Sequence, residues 1–181
     1  MTISISPIKQ SVAQPSKFQL TFDRIANTVY FITSIKMPGM SLTENTVPNP
    51  FTDLKVPGDK VQFEPLIFTF MVDVNYNSWL DVRNWITGIG FPENFDQYKN
   101  LAANATKRPG FPSTAGVRPP YSDATLIIYT NKNNPQARVT FKDCFPISLS
   151  GLDMGYSMSA DHPMFSQASF RYSYYTFEKV A

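Results

Sequence analysis

The stretch from Ser34 to Trp85 constrains the fold of this chain more than any other part of its sequence. A strand pattern ends at Met37-Pro38-Gly39, and a polar, proline-rich excursion follows it. The chain then returns through Pro57-Gly58-Asp59, which we predict to be a turn, into an apolar run that begins at Leu66. This order predicts an extended arm between two strands of a small β-domain, and such an arm lets a subunit reach its neighbours.

The arm is predicted to span residues 40–63. Pro48, Pro50 and Pro57 cannot donate hydrogen bonds within a central ladder, so this segment must lie at an edge or project outward. The segment also carries apolar residues that a purely disordered loop does not need: Met40, Val47, Phe51, Leu54 and Val56. We predict an assembly arm, and the alternative is a long loop that folds back on its own domain.

Alternating and two-sided apolar patterns predict seven or eight strands elsewhere in the chain. Phe18 to Phe22 alternates strictly, and a turn at Ala26-Asn27 is predicted to join it to a partner strand over residues 29–36. Residues 66–74 are apolar on both faces, which is typical of a strand covered on both sides. Further strands are predicted over residues 124–130, 137–143, 145–149 and 168–178. We therefore expect a mainly β fold, an antiparallel β-sandwich or barrel with one packed α-helix and an extended arm.

The helix is predicted at about residues 77–89. Trp79, Val82 and Ile86 follow helical spacing and are predicted to pack on the sheet. Ser78 with Asp81 three positions later resembles a capping box. A single β-domain over residues 17–181 would then follow an N-terminal arm at residues 1–16. Residues 91–122 contain five prolines and are predicted to be a long surface connection, with a helical turn near residues 98–105.

The composition and the small number of reactive residues argue against an enzyme, a metal site or a nucleic-acid-binding protein. The 181 residues are 14% aromatic and 17% charged, which favours β-structure with extensive buried or intersubunit surface. The net charge of +2, without a Lys/Arg cluster, does not indicate a nucleic-acid-binding protein. One histidine, His162, and one cysteine, Cys144, cannot build a zinc site of the usual ligands, and we predict that Cys144 is a core residue. We expect no enzyme activity, no cofactor and no metal.

The sequence has neither the apolar stretch of a signal peptide at its N-terminus nor an apolar run long enough to span a bilayer. We therefore expect a soluble protein that is made in a cytoplasm and has no membrane partner.

In their order along the chain, these features resemble the tail-tube protein family of contractile-tailed bacteriophages. The matching segments are FQLTF, SIKMPGM, the arm closed by VPGDKVQFEPLIFTFMVDVNYNSWLDVRNW, FKDCFPISLSGLDMGYSM and ASFRYSYYTFE. The resemblance covers nearly the whole chain outside residues 1–16 and 91–122. The same series also resembles the baseplate proteins that initiate tube polymerisation.

The resemblance implies a structural virion protein whose hexameric rings stack into the inner tail tube, with the arm bridging rings. Its implied partners are the tail sheath, baseplate and tape-measure proteins, and phage DNA passes through the lumen without specific binding. It implies a place in the virion tail after assembly in the host cytoplasm. The alternatives are a tube-initiating baseplate protein, a tube ring like that of type VI secretion, and a monomeric β-sandwich binding module.

If a sheet lines the lumen, the closing strand at residues 168–178 has one face that suits it. Alternation places Phe170, Tyr172 and Tyr174 on the core face and Arg171 and Ser173 on the other face. We therefore predict that Arg171 and Ser173 face the lumen, because a hydrated polar wall lets DNA slide past.

Overall fold

The computed structural model describes residues 17–25, 32–103, 120–130, 132–157 and 162–180. These residues form nine strands and two helices: β1 Phe18–Phe22, β2 Ile32–Lys36, β3 Met40–Val47, β4 Leu54–Phe63, β5 Leu66–Met71, α1 Asn77–Gly90, α2 Asp96–Ala103, β6 Ser122–Tyr129, β7 Pro135–Leu149, β8 Phe165–Arg171 and β9 Tyr174–Lys179. The predicted N-terminal arm at residues 1–16 and the predicted turn at Ala26-Asn27 lie outside the described residues.

Two antiparallel sheets share the long strand β7. Its N-terminal half lies between β6 and β9, and β6 pairs with β1 on its other side. Its C-terminal half pairs with β8, which continues through β5 to β2. The prediction of a mainly β, antiparallel fold is therefore confirmed, and the predicted strands at residues 137–143 and 145–149 are one bent strand.

The bend in β7 has a local cause. Asp143 has a φ of 55°, a left-handed conformation that an aspartate tolerates better than most side chains. Its backbone N–H donates to the Asp123 carboxylate at 3.1 Å, and Lys142 Nζ donates to the same carboxylate at 2.7 Å. Burial, followed by the nearby charge of Asp123, raises the pKa of the Asp23 carboxyl beside them. These polar contacts hold the point at which the chain leaves one sheet for the other.

The predicted hairpin between β1 and a strand over residues 29–36 is wrong. β1 pairs with β6, with Phe18 opposite Ile128 and Phe22 opposite Ala124. β2 pairs instead with β5 in the other sheet. The burial of β1 alternates as predicted, but the pairing of two consecutive strands depends on which neighbour completes the core.

The core is a cluster of aromatic rings between the two sheets and α1. The Phe170 ring lies 4.9 Å from the Phe22 ring, 5.4 Å from Phe68 and 5.5 Å from Trp85, measured between centroids. All four side chains are at most 1% exposed. Contacts of this kind add to the free energy that burial of the ring surfaces already supplies.

The helical turn predicted near residues 98–105, within the segment predicted as a surface connection, is part of a second helix, α2. α2 packs on α1 where Gly88 faces Leu101, and a Cβ on Gly88 would lie 3.0 Å from Leu101 Cβ. The Arg24 guanidinium donates to the Leu101 carbonyl oxygen and lies 5.5 Å from the centre of the Trp85 ring. Burial lowers the pKa of Arg24. The end of β1 therefore helps to hold α2 in place.

β2 and β3 follow each other along one side of a long two-stranded ribbon, and β4 and β5 along the other. The residue pairing keeps the same register from the β2–β5 half into the β3–β4 half. Ser34 pairs with Thr69 and Lys36 with Ile67 on one side, and Met40 pairs with Phe63 on the other in the same register. That register places Pro38 opposite Pro65. Just beyond them, Glu64 N donates to Gly39 O at 3.0 Å. The segment predicted as an arm is thus the outer half of a ribbon whose inner half belongs to the core.

Candidate assembly surface

The arm is a β-hairpin that forms its own two-stranded sheet. β3 pairs with β4, and residues 48–53 connect them. Nearly every residue of both strands is exposed, and the Phe51 side chain in the connection is 97% exposed. An isolated hairpin is at best marginally stable in water, so the exposed apolar residues of this one point to contacts beyond the subunit.

Pro57-Gly58-Asp59 is not the turn that the sequence predicts, because all three residues lie within β4. Leu42 pairs with Val61 whereas Glu44 pairs with Pro57, so β4 advances four residues while β3 advances two. The β3 backbone passes close to this bulge: a Cβ on Gly58 would lie 2.7 Å from the Thr43 carbonyl oxygen. Thr43 Oγ1 donates to Lys60 O at 3.2 Å across it. Glycine at position 58 is required by this close approach.

The register gives the hairpin two apolar clusters on opposite faces. Cross-strand partners share a face, and successive residues alternate between faces. The base cluster, on one face near the body, consists of Met40, Leu42, Val61 and Phe63. The tip cluster, on the other face near the connection, consists of Val47, Leu54 and Val56. Because β4 gains two residues at the bulge, the alternation of its side chains is preserved.

The structure therefore brings together three of the five predicted arm residues, Val47, Leu54 and Val56. Phe51 lies beyond them in the connection, and Met40 lies on the opposite face, in the base cluster. Sequence reasoning missed Leu42 and Val61, which are 54% and 50% exposed. Their pairing across the ribbon depends on the bulge, which the sequence signals only through Gly58.

The face opposite the tip cluster is polar. Lys55 Nζ donates to Glu44 Oε1 at 3.0 Å and to Thr46 Oγ1 at 2.9 Å. These contacts confirm that the three side chains lie on one face, as the register requires. An exposed ion pair of this kind adds little stability, so its main effect is to make the two faces of the tip chemically different.

Two side chains from the body contact the base of the arm. Arg171 Nη1 donates to Phe63 O at 3.1 Å, and Tyr172 Oη donates to Glu64 O at 2.9 Å. The Phe63 ring also lies 5.9 Å from the Tyr172 ring and 5.5 Å from the Tyr175 ring. The break between β8 and β9 is therefore in direct contact with the point where the arm leaves the body.

Arg171 and Ser173, the residues predicted to face a lumen, are both exposed, but the strand that was predicted to carry them is broken. β8 ends at Arg171 and β9 begins at Tyr174 in the other sheet. The alternation does not continue through this break: Phe170 and Tyr172 are buried, whereas Tyr174 is 49% exposed. The prediction of one continuous strand is wrong because the chain changes sheets at Tyr172-Ser173.

The predicted packing face of the helix is divided. Val82 is fully buried, whereas Trp79 and Ile86 are only partly buried against the core. The side chain that enters the core is Trp85, whose Nε1 donates to Pro120 O at 3.0 Å. Trp79 Nε1 instead donates to Ser150 O at 3.3 Å. Helical spacing alone did not reveal which tryptophan faces inward.

The start of α1 differs from the predicted capping box. Tyr76, before the helix, has a φ of 59°, and Ser78 is buried within the first turn. The acceptor is Asp73, whose Oδ1 accepts from Ser78 N at 2.8 Å and from Ser78 Oγ at 2.7 Å. These hydrogen bonds from Ser78 lower the pKa of the Asp73 carboxyl. The turn between β5 and α1 is therefore fixed by a carboxylate that precedes the helix.

The reactive residues are not gathered into a site. Cys144 is fully buried in the core, and burial raises the pKa of its thiol. His162 is exposed in a different part of the chain. Within the described ranges, no three His, Cys, Asp or Glu side chains are placed to hold a metal ion. The helices of the same ranges include none that is long and apolar enough to cross a bilayer.

Comparison with known proteins identifies the family of the chain. The model of the phage tail tube protein family matches residues 2–178, and the chain belongs to that family. No curated protein matches the sequence.

Solved structures with the same fold come from contractile injection particles. A chain in the 6-fold symmetrised cryo-EM structure of the anti-feeding prophage baseplate is similar with a TM-score of 0.62 and 11% identity, covering 93% of this chain and 97% of that one. A chain in the tube-terminating cap of the same particle has a TM-score of 0.58 and 12% identity, covering 99% and 100%. A chain in the PVC sheath-tube complex in its extended state has a TM-score of 0.56 and 10% identity, covering 95% of each.

Proposed function

We propose that this chain is a ring-forming subunit of a phage tail tube, in which hexameric rings stack and phage DNA passes through the lumen. The observation that carries this proposal is the arm, a hairpin that exposes an apolar cluster on each face. The family supports a role in the tube, and the 6-fold symmetry of the similar baseplate structure supports the hexamer. The chain acts as a structural component of the virion tail without catalysis or a cofactor.

The sheet edges of the body support closure into a ring. Among the described residues, β1 and β2 end the strand order, and β9 pairs only with β7. Exposed edges of this kind pair readily with other chains, and a closed ring removes the hazard by pairing each edge with a neighbour. Neighbouring subunits would meet through these edges, while the tip cluster of each arm would contact the adjacent ring.

The proposed partners of this chain are the proteins that would surround the tube, close its end or fill its lumen. The similar PVC structure is a sheath-tube complex, and by analogy a tail sheath would surround this tube. Baseplate and tape-measure proteins would contact its end and its lumen, after assembly in the host cytoplasm. Arg171 and Ser173 stay proposed lumen residues, and Arg171 also donates to Phe63 O at the base of the arm.

The test is to shorten the arm without disturbing the body. Leu42–Val61 is replaced with Asn-Gly, which forms a tight two-residue turn between the paired residues Ser41 and Gln62. We expect the melting temperature to stay within a few degrees of the original and stacked tubes to be absent in electron micrographs. The full-length Glu44→Gln variant, altered only on the polar face, is the control and should stack.

Tubes of normal length from the shortened protein would refute the assembly role of the arm. The same micrographs distinguish a second function with the same fold. Long tubes formed by the parent protein would support the tube function, whereas rings that do not stack would support a baseplate protein that initiates the tube.

A further inference from the structure

The ribbon that carries the arm is less firmly held where the arm leaves the body. Pro38 and Pro65 face each other in the register, and neither lies within a strand. In the next pair toward the arm, Glu64 N donates to Gly39 O at 3.0 Å, whereas Gly39 N donates to Glu64 Oε2 at 3.4 Å. A regular hydrogen-bonded antiparallel pair exchanges two backbone hydrogen bonds, so the backbone resists displacement of the arm less here than in the strands on either side.

The body supplies donors at this same place. Arg171 and Tyr172 donate to the carbonyl oxygens of Phe63 and Glu64, the last residues of the arm before Pro65. Both donors come from the break between β8 and β9, and that break is itself fixed by Ser173 N, which donates to Lys142 O at 2.9 Å. The two hydrogen bonds therefore connect the base of the arm to the segment between β8 and β9, which is itself bonded to β7.

We propose that Arg171 and Tyr172 are positioning residues that fix the direction of the arm before it meets a second copy of this chain. The inference rests on the proposed function only in taking the arm to be an assembly element. An arm held in one direction loses less conformational freedom when a partner binds than an arm that swings freely. The two side chains would thus raise the affinity between subunits without contacting the partner.

The chemistry of both donors suits a permanent contact. A guanidinium stays charged at any physiological pH. Burial raises the pKa of Tyr172 to about 12, so its hydroxyl keeps its proton and remains a donor. The packing of the Phe63 ring against Tyr172 and Tyr175 adds an apolar contact at the same place.

The experiment measures the arm direction in single subunits. Cysteines at Asp53, in the connection at the arm tip, and at Lys132, in the exposed turn before β7, carry spin labels, and Cys144 is buried and unreactive. Labelled protein is kept below the concentration at which light scattering detects assembly, so that only distances within free single subunits are recorded. The distances are compared for the parent protein, Arg171→Gln and Tyr172→Phe.

We expect one narrow distance distribution for the parent protein and loss of that single peak in Arg171→Gln and Tyr172→Phe. Loss of a hydrogen bond from a charged donor predicts about ten-fold more of the displaced arm in Arg171→Gln. Arg138→Gln removes an exposed arginine from β7, and Tyr175→Phe removes a hydroxyl from the neighbouring ring; both should keep the parent distribution. Arg171→Lys keeps the charge and a donor and should restore part of the peak.

An unchanged distribution in Arg171→Gln overturns the proposal. Hydrogen exchange separates a positioning role from a merely structural one: faster exchange confined to residues 62–64 supports the proposal, whereas faster exchange that includes β5 overturns it. The proposed function is tested separately, because the distances do not depend on assembly. If the shortened arm stacks normally while Arg171→Gln broadens the distances, the assembly role fails and the positioning role stands.

Discussion

β4 and β5 are consecutive strands separated only by Glu64 and Pro65, yet they differ completely in how they are stabilised. In β5, Leu66, Phe68 and Phe70 are buried and alternate with partly buried residues. In β4, eight of the ten residues are exposed and the other two are only partly buried. Both strands have hydrogen-bonded partners, so the difference lies in packing. The inner half of the ribbon is packed against the core, and the outer half lacks that packing.

The largest effect on the free energy of unfolding is expected in the body, where the strands are packed against the core. Trp85→Ala removes a ring that is 1% exposed and contacts Phe22 and Phe170. We expect the free energy of unfolding to fall by about 3–5 kcal/mol in chemical denaturation, as for other large-to-small core substitutions. Trp79→Ala, on the same helix but only partly buried, is the matched control. Equal losses for the two variants would mean that α1 does not face the core through Trp85.

A smaller and more local effect is expected at the bulge in the arm. Gly58→Ala places a Cβ 2.7 Å from the Thr43 carbonyl oxygen, and overpacking of this kind costs about 1–3 kcal/mol. Because the arm is separate from the core, we expect faster hydrogen exchange in β3 and β4 and an unchanged melting temperature. Gly151→Ala, where a Cβ meets nothing within 4 Å, is the control. A fall in melting temperature for Gly58→Ala alone would show that arm and body unfold together.

The smallest effect on stability is expected at the tip cluster. Leu54→Asn with Val56→Asn replaces side chains that are 50% and 44% exposed, so the free energy of unfolding should change by no more than about 0.5 kcal/mol. Stacking of rings, followed by light scattering and electron microscopy, should nevertheless be lost. Lys55→Gln alters the opposite face of the same strand and should stack normally. Equal assembly by both variants would show that the two faces of the arm tip do not differ in their contribution to stacking.

The sequence predicted the mainly β fold, α1 and an arm at residues 40–63 because each has a local pattern. The proline load of the arm and the two-sided apolar run after it follow directly from the printed residues. The family resemblance depended on the order of these segments along the chain, and the match over residues 2–178 confirms it. The roles of individual arm residues remain predictions.

The errors occur where the outcome depends on distant residues. Strict alternation in β1 gave the strand but not its partner, because β6 is more than a hundred residues away along the chain. The residues after Arg171 look like a continuing strand, and only the presence of β7 beside them explains the change of sheet. Pro57-Gly58-Asp59 has the composition of a turn, but the close approach of Thr43 makes it a bulge.

The unbroken register through Pro38 and Pro65 has a consequence for how such a chain can evolve. Burial of Phe68 and Phe70 in the core sets which face each residue of β5 lies on. Because the register is continuous, it also sets the faces on which Leu42 and Leu54 lie. An insertion of one residue between Lys36 and Met40 would turn the side chains of β3 to the other face, while β4 would keep the phase that it takes from β5. The apolar partners of the two strands would then lie on opposite faces, and only a matching insertion between Phe63 and Leu66 would bring them together again. Insertions of even length would conserve the faces, and the two extra residues around Gly58 are of that permitted kind. Indels at the base of the arm are therefore expected to be filtered by parity rather than by length.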